Sequence, residues 1–388
     1  MTKLLVGGIF SLIIAMGIGR FAYTPILPLM QNDLSFSNEV AGYLATSNYA
    51  GYLLGAMLTG IIPLQRHRTM VLRLSLIGSI LTTAYMGLGD SYLLWYVLRF
   101  LSGLASAFVF VLASSIVLDQ LAAKDKTNWS GFFYGGVGLG IFLTGLIIPS
   151  LHRAFKWEGS WIGLAGISVI LTFFVWIWLK DSHLIHDRKL KPQIHKQVPP
   201  VKWIPWLIAA YGLEGLGYIV TGTFIVSIAE KTPSFSWDAA FVWMIVGLSA
   251  APSCIIWSSV GKKWGFVRAL LLAMVIQSIG IAIPVLIMSE TGLVLSAFLF
   301  GATFMGITTL ATTLVRQMSP ANSSRIIGYL TAVYAIGQMI GPTIAGMLSS
   351  KSHNFHSALT GAGIVVFVGA CLLVTGIHYE KNASMRNQ

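Results

Sequence analysis

KDSHLIHDRKLKPQIHKQVPPVK, residues 180–202, is the longest polar stretch in the chain. It is basic, rich in Lys and Pro, and flanked on both sides by strongly apolar sequence. Six long apolar runs precede it, at 4–30, 40–64, 69–88, 92–118, 129–148 and 159–179. Six follow it, at 203–228, 239–257, 266–288, 292–315, 326–348 and 355–377. Apolar runs of about 18 residues or more read as membrane-crossing helices. Barrel strands would be near ten residues long and alternating. Composition agrees: 55% of the 388 residues are hydrophobic and 10% charged, where a soluble domain carries roughly 25% charged residues. Mean hydropathy is +0.77. The fold class is therefore an all-α membrane protein with twelve transmembrane helices. Two six-helix bundles are expected at 1–180 and 203–388, joined by a linker at 181–202.

The net charge of +12 does not call for nucleic acid. With the N-terminus in the cytoplasm, nineteen Lys and Arg outside the helix interiors fall on the cytoplasmic side and four on the other. That is the positive-inside bias, and it predicts both termini in the cytoplasm of a multi-pass cell-membrane protein. The first run is too long for a cleaved signal and ends in Pro25 and Pro28. Cys254 and Cys371 both lie within helices, which excludes a disulfide framework. Tryptophans 95, 129, 161, 203 and 237 sit at helix ends and read as an interface belt.

The halves match at a near-constant offset. Gly17-Ile18-Gly19 aligns with Gly215-Leu216-Gly217, Ala41-Gly42-Tyr43 with Ala239-Ala240-Phe241, and Gly103 with Gly301, all at 198. Gly131 and Gly140 align with Gly328 and Gly337 at 197. Parallel repeats of this kind are a transporter architecture.

With these features the chain resembles the major facilitator superfamily over its whole length. Gly17-Ile-Gly-Arg20-Phe-Ala-Tyr-Thr-Pro25-Ile-Leu-Pro28 is similar to the first helix of its YbfB/YjiJ-type branch. Arg99-Phe-Leu-Ser-Gly103 resembles a helix-4 motif linked to proton coupling in exporters. Gly337-Gln-Met-Ile-Gly341-Pro342 resembles the antiporter Gly-Pro motif, displaced from helix 5 to helix 11. The loop between helices 2 and 3 keeps its basic residues, Arg66 and Arg68, but not the acid usual to the family, which leaves the charge latch of the cytoplasmic gate in doubt. Arg66, Arg68, Gly341 and Pro342 are the candidate gating residues.

Arg20, Arg99 and Glu214 are the charges inside apolar runs, where each costs about 2.5–3.5 kcal/mol to insert. Arg20 is the repeat equivalent of Tyr218, and Glu214 lies one helical turn from Tyr218. The resemblance implies that helices 1 and 7 line a central cavity, with Arg20 and Glu214 facing across it. One reading is a bracing ion pair. The other makes Glu214 and Arg99 the proton-coupling residues and Arg20 the anchor for an acidic group, since burial favours the neutral form of a carboxyl. Further candidates for substrate contact are Tyr23, Asn48, Tyr134, Tyr218, Thr221, Trp243, Tyr334 and Gln338. Organophosphate antiporters of the superfamily carry arginines in both helix 1 and helix 7; Tyr218 occupies the second position here.

No H-E-x-x-H, G-x-S-x-G or Walker A motif occurs, so an enzyme or ATP-driven pump is not expected. The expectation is a secondary active transporter using alternating access, H+-coupled, exporting a metabolite or drug-like compound with an acidic group. Uptake of a small organic anion, and a non-transporting sensor or scaffold, are the alternatives. The expected partners are a small-molecule substrate, H+ and the lipid bilayer, with no cofactor, metal or nucleic acid, and a monomer is expected.

Overall fold

The computed structural model describes residues 1–181 and 198–385. Residues 182–197 of the expected linker lie outside the described residues. Among those described, every regular element is helical. The first rod, α1, spans Thr2–Leu34, with Ile13–Phe21 wound as π-helix. Then come α2 (Asn38–Ile61), α3 (Arg68–Met86) and α4 (Tyr92–Ala123). A continuous element, Ser130–Trp178, breaks at Phe155 (φ −140°) and Lys156 (φ 57°) into α5 (130–154) and α6 (157–178). The second half holds α7 (Ile204–Glu230), α8 (Ala240–Trp264), α9 (Phe266–Leu286), α10 (Glu290–Met318), α11 (Ser323–Ser352) and α12 (His356–Met385).

Ten elements are long and apolar enough to cross a membrane. The limb α6 and the less hydropathic α2, 24 residues long, bring the described rods to twelve. Caps set several boundaries. Ser37 Oγ accepts from the Val40 amide at 3.3 Å to start α2, and Ser289 Oγ accepts from Gly292 at 3.2 Å to start α10. Each satisfies an otherwise unpaired first-turn donor. Ser35 and His353, at φ 53° and 56°, end α1 and α11 in left-handed conformation.

The most apolar windows of α1 and α7 are each 83% buried, against 33% for α3. The paired first helices of the two halves therefore sit at the centre, and α3 faces outward. Small residues let the backbones approach. A Cβ on Gly17 of α1 would lie 2.5 Å from Gly140 Cα of α5, and Gly138 and Gly145 bring α5 onto α8. Gly42 of α2 packs on the Pro342 carbonyl of α11.

Gly7 packs against Trp178 and Leu179, and Trp203 Nε1 donates to Thr375 Oγ1 at 3.0 Å. The start of α1, the end of α6, the start of α7 and the end of α12 thus share one face, the terminal face. The described hydrogen bonds that join the halves lie toward the opposite face. Thr24 Oγ1 donates to Gly222 O at 2.6 Å. Thr46 Oγ1 reaches Thr343 Oγ1 and Met339 O, both at 2.8 Å. The Glu39 amide donates to Ser350 Oγ at 3.0 Å, and Lys231 Nζ to Asn38 Oδ1 at 3.5 Å. The halves are latched at that end.

The tryptophan belt needs correction. Trp95, Trp161 and Trp203 are buried. Trp95 meets Trp157 edge-on at 5.8 Å, because helix ends that overlap a neighbouring rod face protein rather than headgroups. Trp129 and Trp237 are exposed, as a belt requires.

Candidate functional site

The site is built on the π-helical stretch of α1. Pro25 and Pro28 have no amide hydrogen, so the carbonyls of Phe21 and Thr24 lose their i+4 donors, and π turns commonly mark functional positions. Backbone carbonyls here are taken by side chains of α4. Arg99 Nη1 donates to Gly19 O and Nη2 to Arg20 O, each at 3.2 Å. Ser102 Oγ donates to Gly19 O at 2.7 Å. The Arg99 guanidinium also lies 4.6 Å from the centre of the Tyr23 ring. Tyr23 OH donates to Ala41 O at 2.9 Å, and Asn48 Nδ2 donates to Arg99 O at 2.9 Å. Arg99, a candidate for proton coupling, and Tyr23 and Asn48, candidates for substrate contact, are joined in one knot that ties α1, α2 and α4 together.

Arg20 is 3% exposed. Its guanidinium lies 4.2 Å from the Tyr52 ring centre, 4.9 Å from Tyr49 and 5.3 Å from Phe21. Cation–π attraction of this kind offsets part of the desolvation. Nε has no hydrogen-bond partner, and no described ion pair includes Arg20. The Arg20–Glu214 bracing pair, one of the two readings of the sequence, is therefore absent from the described ion pairs.

Glu214 is fully buried in α7, and neither carboxyl oxygen is hydrogen-bonded. Tyr211, Tyr218 and Tyr334 surround it closely enough to sense its charge. The fully buried Gln277 of α9 is its other polar neighbour, though the Gln277 amide also completes no hydrogen bond. Tyr218 lies within electrostatic reach of both charges. Gln338 Nε2 donates to its hydroxyl.

A ladder of near-parallel rings runs past this point. Tyr211 stacks on Tyr334 at 4.3 Å, Tyr334 on Tyr218 at 5.5 Å, Tyr218 on Phe304 at 6.1 Å and Phe304 on Phe300 at 5.6 Å. Phe21 joins Phe304 to Trp243, at 6.4 and 6.3 Å. Of the sequence candidates, Arg20, Tyr218, Trp243, Tyr334 and Gln338 thus come together around this ladder. Tyr134 packs on Phe133 at 4.9 Å and Phe110 at 5.9 Å and makes no described ring contact with the ladder. Thr221 is buried with its hydroxyl unpaired.

Sequence reasoning missed Tyr49, Tyr52, Tyr211, Phe300, Phe304 and Gln277. For Gln277 a signal existed: it is an uncharged but strongly polar side chain in the middle of an apolar run.

The gate residues divide. Arg66 is exposed at the end of the short turn Leu64–Arg66. Arg68 pairs with Asp119 of α4 at 2.6 Å and with Asp181, just past α6, at 3.0 Å. The acid missing from this loop's own sequence is supplied to Arg68 by two other segments. Pro342 presents its carbonyl to Gly42 across the seam between the halves, whereas Gly341 packs on Leu216 O of α7 within its own half.

A family model described as "Uncharacterised MFS-type transporter YbfB" matches residues 12–374. The "Uncharacterized MFS-type transporter YceJ" of Bacillus subtilis (strain 168) is 25% identical, covering 92% of each chain. "Tetracycline resistance protein, class C" of Escherichia coli is 22% identical, covering 92% of this chain and 91% of the relative. Among solved structures, a point mutant of the nucleoside transporter NupG superposes with a TM-score of 0.69 at 14% identity, covering 99% of both chains. These relatives are transporters, not enzymes, and NupG supports the fold alone. The chain is a membrane-embedded member of the YbfB-type family of major facilitator superfamily transporters.

Proposed function

We propose that this chain is a proton-coupled secondary transporter that moves a small organic solute bearing an acidic group, in the direction of efflux. The observation that carries this reading is Arg20, a buried cation on a central helix with aromatic faces around it and, among the described residues, no carboxylate paired with it. A buried charge calls for a partner, and an anionic group on the solute supplies one. Tyr218, Tyr334, Trp243 and Gln338 offer stacking and one amide beside it.

Glu214 is the proton site in this reading. It is the acid within the central spans, its oxygens are unpaired, and one charge crossing 100 mV is worth about 2.3 kcal/mol. Residues 1–180 and 203–388 act as the two rocking bundles, with both termini in the cytoplasm as the Lys and Arg asymmetry favours. The seam at Thr46, Thr343 and Lys231 is then the external gate, closed here, and the Arg68 latch is cytoplasmic. The efflux direction rests on the helix-4 resemblance and on the resistance protein among the relatives.

The test is transport in proteoliposomes, with a panel of aliphatic and aromatic carboxylates and an interior pH reporter. Losing a charge-assisted hydrogen bond of about 1.5–3 kcal/mol lets Arg20→Ala weaken binding of the acidic solute about ten- to hundredfold. Glu214→Gln is expected to retain solute binding and abolish the proton flux. Wild-type behaviour in both variants would overturn the proposal.

A further inference from the structure

A second basic site lies away from the central rings, at the terminal-face edge of the groove between α3 and α6. It is a cavity of about 380 Å³ lined by Arg66, His67, Arg68, Arg73, Trp176 and Asp181, among others. Asp181 is already held by Arg68 through two nitrogens, at 3.0 and 3.2 Å. Its charge is thereby answered, and Arg66 and Arg73 remain in excess. Neither takes part in a described ion pair. Arg73 lies 4.7 Å from the Trp176 ring centre and gives one hydrogen bond to Trp176 O at 3.1 Å. Its Nε is buried and has no acceptor.

Next to this cavity the surface turns apolar. Met70, Leu74 and Ile77 follow at helical spacing on α3, and Phe173 and Ile177 are four apart on α6, all exposed. Residues three and four apart share one face of a helix, so the strip continues the cavity along the α3–α6 groove. A basic pocket with an indole at its rim, opening onto a continuous apolar strip, is the footprint of a phosphate headgroup with its acyl chains below.

We infer that this cavity binds the phosphate of an anionic phospholipid, with Arg66 and Arg73 as its ligands and the acyl chains on the Met70–Leu74–Ile77 strip. The occupied cavity would share a wall with the Arg68–Asp181 latch, so lipid composition would reach the gate through that pair.

The test is native mass spectrometry of the full chain, titrated with phosphatidylglycerol and, separately, phosphatidylcholine. Wild type is expected to retain phosphatidylglycerol preferentially. The double variant Arg66→Gln/Arg73→Gln is expected to lose that preference by about 25-fold, near fivefold per cation, with phosphatidylcholine retention unchanged. Should Arg73→Gln fail to fold, Arg66→Gln alone, on an exposed turn, is expected to lose about fivefold. Equal retention of the two lipids by wild type, or of phosphatidylglycerol by wild type and variant, would overturn the site. Displacement of phosphatidylglycerol by millimolar inorganic phosphate would show a free-anion pocket and overturn the lipid assignment.

Discussion

The knot around Arg99 allows a quantitative test of what that arginine does. In Arg99→Leu the Arg20 carbonyl loses its Arg99 donor, while the Gly19 carbonyl keeps Ser102 at 2.7 Å. An unmatched buried acceptor costs about 1–3 kcal/mol, and loss of the cation over Tyr23 adds about 0.5–2 kcal/mol. Removing a desolvated guanidinium returns part of this, so a net destabilisation of about 2 kcal/mol is expected. The sharper quantity is the coupling with Ser102. Ser102→Ala alone leaves Gly19 O with Arg99 at 3.2 Å and should cost about 1 kcal/mol. In the double variant Gly19 O has neither donor. The double variant should therefore exceed the sum of the singles by about 1–2 kcal/mol, within the range of contacting residues. Unfolding free energies measured in bicelles on the four proteins of the cycle would show this. Additivity within about 0.5 kcal/mol, together with proton flux lost only in Arg99→Leu, would refute the structural role and return Arg99 to the coupling role that the helix-4 motif implies.

Two further outcomes follow from backbone contacts. A Cβ on Gly103 would collide with Asn48 O, and one on Gly51 with Phe100 O, at the same α2–α4 crossing. Each Gly→Ala change is expected to cost about 1–3 kcal/mol. The double variant should cost less than the sum, since one separation of the helices relieves both clashes; full additivity by thermal unfolding would contradict this geometry. At the closed seam, Thr46→Val/Thr343→Val removes the 2.8 Å contact and the Met339 bond, each worth about 1 kcal/mol. Maleimide labelling of Tyr49→Cys, in a background lacking Cys254 and Cys371, should rise about tenfold from the face opposite the termini. Unchanged labelling would show that these bonds do not hold the halves closed.

The all-helical membrane fold was legible because hydropathy is a one-dimensional signal. The offset of 198 also put Arg20 and Glu214 at neighbouring depths, and Tyr218 lies within electrostatic reach of both. What the offset lacks is the angle around each helix axis. A π turn over Ile13–Phe21 closes i→i+5 and breaks the 3.6-residue count on which any facing argument depends. That bears on Arg20 and Tyr23 of α1; Asn48, Tyr49 and Tyr52 lie on the regular α2, where packing on α4 and α1 sets their facing. The latch was hidden for a related reason: Asp119 and Asp181 are distant in sequence from Arg68 and only the packing of α3, α4 and α6 brings them together.

The unpaired state of Arg20 and Glu214 also separates the two readings that the sequence left open. A direct ion pair would bridge α1 and α7, the central helices of opposite halves, and would oppose their separation. Breaking such a pair by parting the halves would strand two buried charges, which costs several kcal/mol. Neither charge enters a described ion pair. Under the proposed mechanism each charge is then neutralised within its own half, by a proton on Glu214 and by an anion at Arg20. The halves can rock with both sites filled, and the cost of moving either half with its site empty is what couples the proton to the solute.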